Sequence, residues 1–507
     1  MFHVTSNYIN ILSVQYLQHV LLNKKMFISI FFVIILIVVI NFIRKINKKP
    51  EGLESIPNVS TLEILWANLQ QKNYDEIEDL IQRRSGDHGI YFSYFGSVSI
   101  ASPEYAKILL TESEDDATKF EPDPGSFLDK FFGSGLPFAN GDKWRTHRNL
   151  ANSAFNIALS PEIVGETTMD LFAFMKPKLN RPIDVYETMQ RVTIEALGKL
   201  GFGHKFGCLE SEGVSHLISS YKYVVSIVGS PLYRMVPWVD KLPLKSNKKY
   251  LDALKEFDGF IYDVIEARRN EIKKNSYNGR DLLTSMLKLT EQEEINTDIK
   301  QLRDELASIF AAGHDSTSIA LSVSLYFLAK YPEMQEKARA EVINILGNEP
   351  IIPNSDQLKE LKYVNAIIKE SLRAYPPAPI ITARRLNKPV KLGPYTLPTN
   401  TICMVNAWQI HHNPKYWKNP NQYDPERFLS SEKRHAYSWV TFSSGPRNCV
   451  GQNLSLMEQR IILSMILLKY KWTLPENSIN KDKLLLNAQF LLTPRDLKLV
   501  FTERINK

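Results

Sequence analysis

Phe442-Ser443-Ser444-Gly445-Pro446-Arg447-Asn448-Cys449-Val450-Gly451 is the stretch that decides the reading of this chain. One cysteine stands at the end of a tight, glycine-bearing loop, just before a run of helical character from Gln452 to Lys469. A thiolate there meets the positive end of a helix dipole and unsatisfied backbone N–H groups, and both favour the anion. Arg447, two residues earlier, can reach an anionic group beside the sulfur. Gly445 and Gly451 carry no Cβ, so a large flat ligand could come close to the backbone.

Upstream, the longest helix is expected from Thr297 to Tyr331. Ile299, Leu302, Leu306, Ile309, Phe310, Ala320, Leu321, Leu325 and Leu328 recur near helical spacing. Thr297 or Asp298 can cap its start, and Pro332 ends it. In its middle, Ala311-Ala312-Gly313-His314-Asp315-Ser316-Thr317 is poor helix material, a place where a water or ligand can enter the hydrogen-bond ladder. A further helix, Asn354 to Arg373 with Asn354 or Ser355 as cap, puts Glu370 and Arg373 on one face. Alone, such a pair is a solvated salt bridge of little worth. Asp424-Pro425-Glu426-Arg427-Phe428 follows, with Arg427 22 residues before Cys449. Trp144 and Arg148, one turn apart on a helix expected after Asn140-Gly141-Asp142, present an indole N–H and a guanidinium to one side.

These runs resemble the cytochrome P450 family. Its haem loop F-x-x-G-x-R-x-C-x-G is matched at Phe442, Gly445, Arg447, Cys449 and Gly451. Its A-G-x-D-T-T run is matched at Ala312, Gly313, Asp315 and Thr317, with Ser316 where threonine is usual. Its E-x-x-R and P-E-R-F runs are matched at Glu370, Arg373 and Arg427. The resemblance runs from about Ser55 to the C-terminus and is densest from Glu305 to Gly451. It implies a mainly α fold with a minor β portion, the cytochrome P450 fold. It implies haem b, with the Cys449 thiolate on iron favouring O–O cleavage, and Phe442, Gly445 and Gly451 around it.

The same resemblance implies that Trp144, Arg148, Arg384 and Arg447 meet the haem propionates, with Arg385 the competitor of Arg384. Asp315, Ser316 and Thr317 are implied in proton delivery, while Glu370, Arg373 and Arg427 form a structural network that holds the cysteine loop. Ser316 keeps the hydroxyl but lacks the methyl that restricts a threonine rotamer, which bears on how tightly proton delivery is coupled to oxidation. The implied activity is a monooxygenase inserting one atom of dioxygen into an apolar substrate: a lipid, fatty acid, terpenoid or xenobiotic. The chain has no flavin or dinucleotide segment, so NADPH is expected to act indirectly, through a flavoprotein reductase. One rival is a haem-thiolate isomerase or dehydratase without reductase, against which Asp315 and Ser316 argue. The other is a non-catalytic membrane haem-binding protein.

Residues 26–43, MFISIFFVIILIVVINFI, carry no charge, and 18 residues at about 1.5 Å each can roughly cross a bilayer core. Lys24 and Lys25 precede them; Arg44, Lys45, Lys48 and Lys49 follow. The larger cationic cluster on the C-terminal side places the rest of the chain in the cytoplasm. The expected organisation is an N-terminal extension (1–25) of open status, since Met26 would itself make a start; a transmembrane helix (26–43); a basic linker (44–54); and one catalytic domain (55–507). The expected location is the endoplasmic reticulum membrane, single-pass, with the catalytic domain facing the cytoplasm.

Of 507 residues, 44% are hydrophobic, which suffices for a sizeable core, and a net charge of +7 over 62 basic and 55 acidic side chains gives no argument for nucleic acid. An odd count of three cysteines is no disulfide framework, and Cys208 and Cys403 are expected as packing residues. His314 is expected to point away from the chemistry, and His411 with His412 lack the spacing and partners of a metal pair. Phe120, Phe127, Phe131, Phe132, Phe138, Phe310, Ala311, Ile380, Ile381 and Leu491 are candidates for pocket lining. Residues 231–243, with Leu232, Met235, Val236 and Trp238, are a candidate lipid-dipping segment. Strand-like runs are expected at Gly89–Ile100 and Val390–Val405, with mainly helix between Glu104 and Glu349.

Overall fold

The computed structural model describes residues 49–504, apart from 94–95, 112–115, 211–212, 214–215, 231, 234–235, 278, 293–297 and 489–490, together with Val33, Ile37, Ile40, Asn41 and Arg44. The expected anchor and Met235 lie wholly or mostly outside the described residues. Among the described residues, no helix is long and apolar enough to cross a membrane.

Helices dominate, and β structure is confined to short strands at the margins. Strands β1 (Ile90–Ser93), β2 (Ser97–Ile100), β3 (Ala117–Lys119), β5 (Ile380–Leu386) and β8 (Ile402–Asn406) form a mixed sheet in the order β1-β2-β8-β5-β3. β2 and β8 run parallel, Val98 opposite Cys403, and the other pairs are antiparallel. β4 (Pro182–Asp184), β9 (Tyr470–Thr473) and β12 (Lys498–Glu503) make a three-stranded sheet, with β12 in the centre. Two hairpins complete the set: β6 (Val390–Leu392) with β7 (Tyr395–Leu397), and β10 (Leu486–Ala488) with β11 (Leu492–Pro494).

The expected Thr297–Tyr331 helix is two helices, Ile299–Gly313 and Asp315–Lys330, meeting at His314 with φ −96° and ψ −45°. Asp298 caps the first by accepting the N–H of Lys300. Side-chain hydroxyls compete for the backbone at the break: Ser316 Oγ donates to Ala312 O at 2.8 Å, and Thr317 Oγ1 donates to Gly313 O at 3.2 Å. All of Asp315–Lys330 except Ser316 and Lys330 is buried, so this helix runs through the core rather than along its face. Its internal hydroxyls are satisfied by carbonyls three or four residues back, as for Ser318, Ser322 and Ser324.

The expected Asn354–Arg373 helix also divides, into Ser355–Glu360 and Lys362–Ala374, at Leu361. Asn354 caps the first piece in a capping box with Gln357. The cysteine-proximal helix spans Gln452–Lys469, as expected.

Candidate functional site

The Cys449 loop is shaped by its own backbone. Cys449 N–H donates to Phe442 O at 2.9 Å, and Asn448 N–H donates to Gly445 O at 3.2 Å. Gly445 has φ +71°, and a Cβ on it would stand 2.2 Å from Leu110 O. Glycine is therefore required there by the turn and by a neighbouring backbone, not by a ligand as the sequence suggested. A Cβ on Gly451 would meet Phe155 Cε1 at 3.6 Å and Cys449 Sγ at 4.0 Å, which are ordinary contacts. The protein itself thus does not demand glycine at 451.

Cys449 is the one exposed cysteine of the three. The residue is exposed, yet enough protein surrounds the thiol that desolvation lifts it above its ordinary value. The Gly451 N–H and the Arg148 charge act in the opposite sense. In the free protein burial therefore outweighs the helix terminus, and a bound cation is what would hold the sulfur as thiolate. Cys208 and Cys403 are buried and pushed up to about 12, consistent with inert packing. A cavity of about 300 Å³ adjoins Cys449, lined in part by Arg148, Asn152, Phe155, Asn448 and Val450.

The loop is anchored from behind. Arg373 Nε donates to Glu370 Oε2 at 2.7 Å, and Arg427 Nε donates to Glu370 Oε1 at 3.1 Å. Glu370 and Arg373 are 0% exposed, so this is no surface pair. Arg427 also donates to the carbonyls of Lys418 (2.9 Å) and Gln422 (3.0 Å), and Asp424 N–H donates to Glu370 Oε1 (2.9 Å). From the Lys362–Ala374 helix, bonds run to the segment entering the loop. Lys369 O accepts Trp439 Nε1 at 3.3 Å, and Leu372 O accepts Thr441 Oγ1 at 3.2 Å. The three residues implied as one network are one network.

Trp144 and Arg148 lie on the helix Gly141–Ile157. The Arg447 guanidinium stacks 3.8 Å from the Trp144 ring centroid. Asn140, which the sequence did not single out, organises this corner. Its Oδ1 accepts Lys119 N–H at 2.7 Å and Arg447 Nη2 at 3.3 Å, and its Nδ2 donates to Lys119 O at 3.0 Å. Lys119 on β3 stands opposite Arg384 on β5, a residue 2% exposed. Arg148 turns to the cysteine loop itself, donating to Asn448 O and Oδ1. His147, between Trp144 and Arg148, is buried with Nδ1 3.4 Å from Glu305 Oε1. Burial favours the neutral form of both groups, and neither of these two atoms makes a hydrogen bond among the described residues, so they are neighbours across the helices rather than an ion pair.

At the helix break, Ala312 is exposed and Ser316 half-exposed in an otherwise buried region, so one face of the break opens on a space. Thr317 is buried and bonded to Ser455 at 2.8 Å, six residues past Cys449. It joins the two helices, and Ser316 is the hydroxyl at the opening. Asp315 turns inward, its Oδ1 accepting Gln190 Nε2 at 2.7 Å and Tyr186 O–H at 3.3 Å. His314 is fully buried, Nδ1 on Phe310 O at 2.7 Å, away from the opening as expected.

Several expected lining residues are core instead. Phe310 is sealed among Phe202, Phe206, Tyr221 and Phe257, with ring centroids 4.7–5.9 Å away. Phe127 stacks on Tyr250 at 3.9 Å, and Phe131 packs on Phe257 at 5.9 Å. Phe120, Ala311, Ile380, Ile381 and Leu491 are part-exposed.

The donor set fits a metal that brings its own equatorial ligands. A lone thiol projects at a helix start, and no cluster of three or more metal-ligating side chains occurs among the described residues. Arg447 and Arg384 are buried cations beside the same corner, suited to carboxylates of a bound macrocycle. Fold and site together define a haem-thiolate oxidoreductase.

The comparisons make the class specific. A family model for cytochrome P450 matches residues 50–501. The chain is 29% identical over 412 residues to cytokinin hydroxylase of Arabidopsis thaliana, covering 77% of this chain and 79% of that protein. It is 29% identical over 423 residues to cytochrome P450 4X1 of Mus musculus, covering 80% and 82%. It is 30% identical over 393 residues to the ultra-long-chain fatty acid omega-hydroxylase of Homo sapiens, covering 73% of each. The chain belongs to the cytochrome P450 family and is a monooxygenase, with haem-thiolate iron as its cofactor.

Proposed function

We propose that this protein hydroxylates a fatty-acid-class lipid, taking electrons from NADPH through a separate flavoprotein reductase at the endoplasmic reticulum membrane. The observation that carries the reading is the single exposed thiol of Cys449 at a helix start, braced by the buried Glu370–Arg373–Arg427 network. Similarity to a fatty acid omega-hydroxylase supports the substrate class.

Bound haem supplies the iron at which dioxygen is reduced and cleaved. Cys449 would hold that iron through its sulfur. Arg447 and Arg384 would balance the propionates, with Trp144 offering its indole N–H; Asn140 fixes the Arg447 fork, and Arg148, bonded to Asn448, would add positive charge from the cysteine loop. Ser316, at the opening of the helix break, orders water and passes protons toward the reacting oxygen, and Asp315 behind it is the acid. Thr317 keeps this segment in register with the helix that follows Cys449. Phe120, Ala311, Ile380, Ile381 and Leu491 leave apolar surface for the acyl chain.

Residues 26–43 act as the single-pass anchor, with the catalytic domain in the cytoplasm. Leu62, Trp66 and Leu69, just after the linker, and Leu232 and Trp238 are exposed at 44–75%, apolar surface that supports contact with lipid.

The test is purified chain with haem, reductase, NADPH and fatty acids of graded length under ¹⁸O₂. The reading expects a strongly red-shifted carbon-monoxide band of the reduced haem and one labelled oxygen atom in the product. A thiolate band with no oxygenated lipid across the series refutes the substrate class. Conversion of lipid hydroperoxides without reductase replaces the reading with an isomerase.

A further inference from the structure

We propose that Tyr186 is the residue through which Asp315 receives its protons, a positioning and relay group that acts through Asp315 without touching the reacting atoms. The inference rests on the monooxygenase reading above and deepens it.

Asp315 is 9% exposed and surrounded by donors from two helices, Val185–Leu197 and His216–Val228. Its Oδ1 accepts Gln190 Nε2 at 2.7 Å and Tyr186 O–H at 3.3 Å, and its Oδ2 accepts Tyr221 O–H at 3.5 Å. Gln190 Nε2 also donates to the Tyr186 oxygen at 3.0 Å, and Gln190 Oε1 accepts Lys222 Nζ at 3.2 Å. His314 Nε2 is 3.4 Å from Oδ1, while its Nδ1 faces a carbonyl.

These neighbours are not equivalent as proton sources. Gln190 donates a hydrogen bond, but giving up its proton would leave an amide anion. Lys222 reaches Asp315 only through that amide. Tyr221 is 1% exposed and at the limit of bonding distance. Tyr186 is part-exposed, donates to Asp315 and accepts from Gln190. Burial, together with the Asp315 charge, pushes the Tyr186 ionisation far up, so the phenol does not persist as phenolate. It passes one proton as it takes another. The Tyr186 O–H bond breaks as an O–H bond forms at Asp315 Oδ1, and a hydronium ion of the solvent restores the phenol and becomes water. The net change is one proton moved from solvent to the carboxylate, and no electron changes owner.

The experiment compares the full haem-loaded chain with Tyr186→Phe and Tyr221→Phe, using Asp315→Asn to assign the Asp315 carboxylate band in the infrared. Three readouts are taken: the position of that band, the solvent isotope effect on product formation, and the share of NADPH electrons found as hydrogen peroxide. Tyr186→Phe is expected to shift the band and to raise the peroxide share at least threefold, with KM changed less than twofold. Tyr221→Phe, which removes only the longer bond to Oδ2, is expected to keep the wild-type isotope effect and peroxide share. 3-Fluorotyrosine at position 186 keeps the hydroxyl and its fold while making it more acidic, and is expected to alter the isotope effect. Wild-type coupling and isotope effect in Tyr186→Phe overturn the relay and leave the monooxygenase reading intact. A wild-type chain that forms no oxygenated product with any lipid overturns that reading, and the relay with it.

Discussion

His411 Nε2 accepts the backbone N–H of Val440 at 2.9 Å, while the carbonyl of the same residue accepts Arg373 Nη1 at 2.8 Å. One buried histidine therefore joins the Glu370–Arg373 pair to the backbone two residues before Phe442. Because Nε2 accepts, the ring proton sits on Nδ1 and the ring is neutral. Burial holds it well below the usual histidine range. His411→Ala leaves a buried amide without its acceptor, expected to cost roughly 1–3 kcal/mol. The expected signature is a lower urea midpoint and partial loss of the thiolate-type carbon-monoxide band. An unchanged band removes His411 from the support of the loop.

Glu370 carries more. Itself out of contact with water, it takes two bonds from Arg373, one from Arg427 and one from Asp424 N–H. Removing one member of a buried pair leaves an uncompensated charge, worth roughly 3–5 kcal/mol. Glu370→Gln is therefore expected to lower the melting temperature strongly and to reduce the yield of haem-retaining protein. The salt sensitivity of a surface pair should be absent. A melting point near wild type would return the pair to the surface class.

Much of this was legible before the structure. The Gln452–Lys469 helix follows from an apolar run between a glycine and a change of pattern. Glu370, Arg373 and Arg427 were identified from motif order. What sequence left unread has physical reasons. Strands β3, β4, β10 and β11 are three residues long, below the length at which alternation is visible. Asp315–Lys330 is buried nearly all round, so no polar face marked its orientation. Asn140 and His411 are single polar residues whose decisive partners, Arg447 and Val440, lie 307 and 29 positions away. Only the fold brings such pairs together.

Gly445 and Gly451 occupy the same motif for different reasons, and alanine separates them. At Gly445 a side chain must adopt φ +71° and place Cβ 2.2 Å from Leu110 O. Left-handed backbone alone costs of order 1–2 kcal/mol, and the clash adds to it. Gly445→Ala is expected to destabilise the apoprotein and the loaded enzyme alike, read as urea midpoints. Gly451→Ala is expected to leave the apoprotein near wild type. Equal losses in the apoprotein would show that Gly451 too is fixed by the polypeptide.

Ser316 stands at the opening of the helix break and bonds to Ala312 O at 2.8 Å. A threonine there keeps that bond and adds a methyl that narrows the rotamers. Ser316→Thr is expected to raise the fraction of NADPH electrons recovered in product, by up to about twofold, and Ser316→Ala to lower it. Product per NADPH is the measurement, and an alanine variant as well coupled as wild type rules out the hydroxyl.

Glu458 gives the pH dependence its sign. It is 2% exposed on the Gln452–Lys469 helix, and burial raises its carboxyl from 4.5 to about 8. In the unfolded chain the group ionises near its ordinary value, while in the folded protein it stays protonated up to about pH 8. Between those limits the native state binds the extra proton, so stability falls as pH rises. The contribution is complete below about pH 4.5 and lost by about pH 8, with a span on the order of a few kcal/mol. Glu305, also raised to about 8 by burial, adds a slope of the same sign. His147, lowered by burial, opposes it below the usual histidine range, where the unfolded chain takes up the proton first. Urea midpoints at pH 5.5 and pH 8 should therefore fall in the wild type. The fall should be clearly smaller in Glu458→Gln, which keeps the shape of the neutral acid and cannot ionise, with the Glu305 slope remaining. A wild-type midpoint that rises over this interval would mean that Glu458 is already ionised in the folded protein, with a cation beside it.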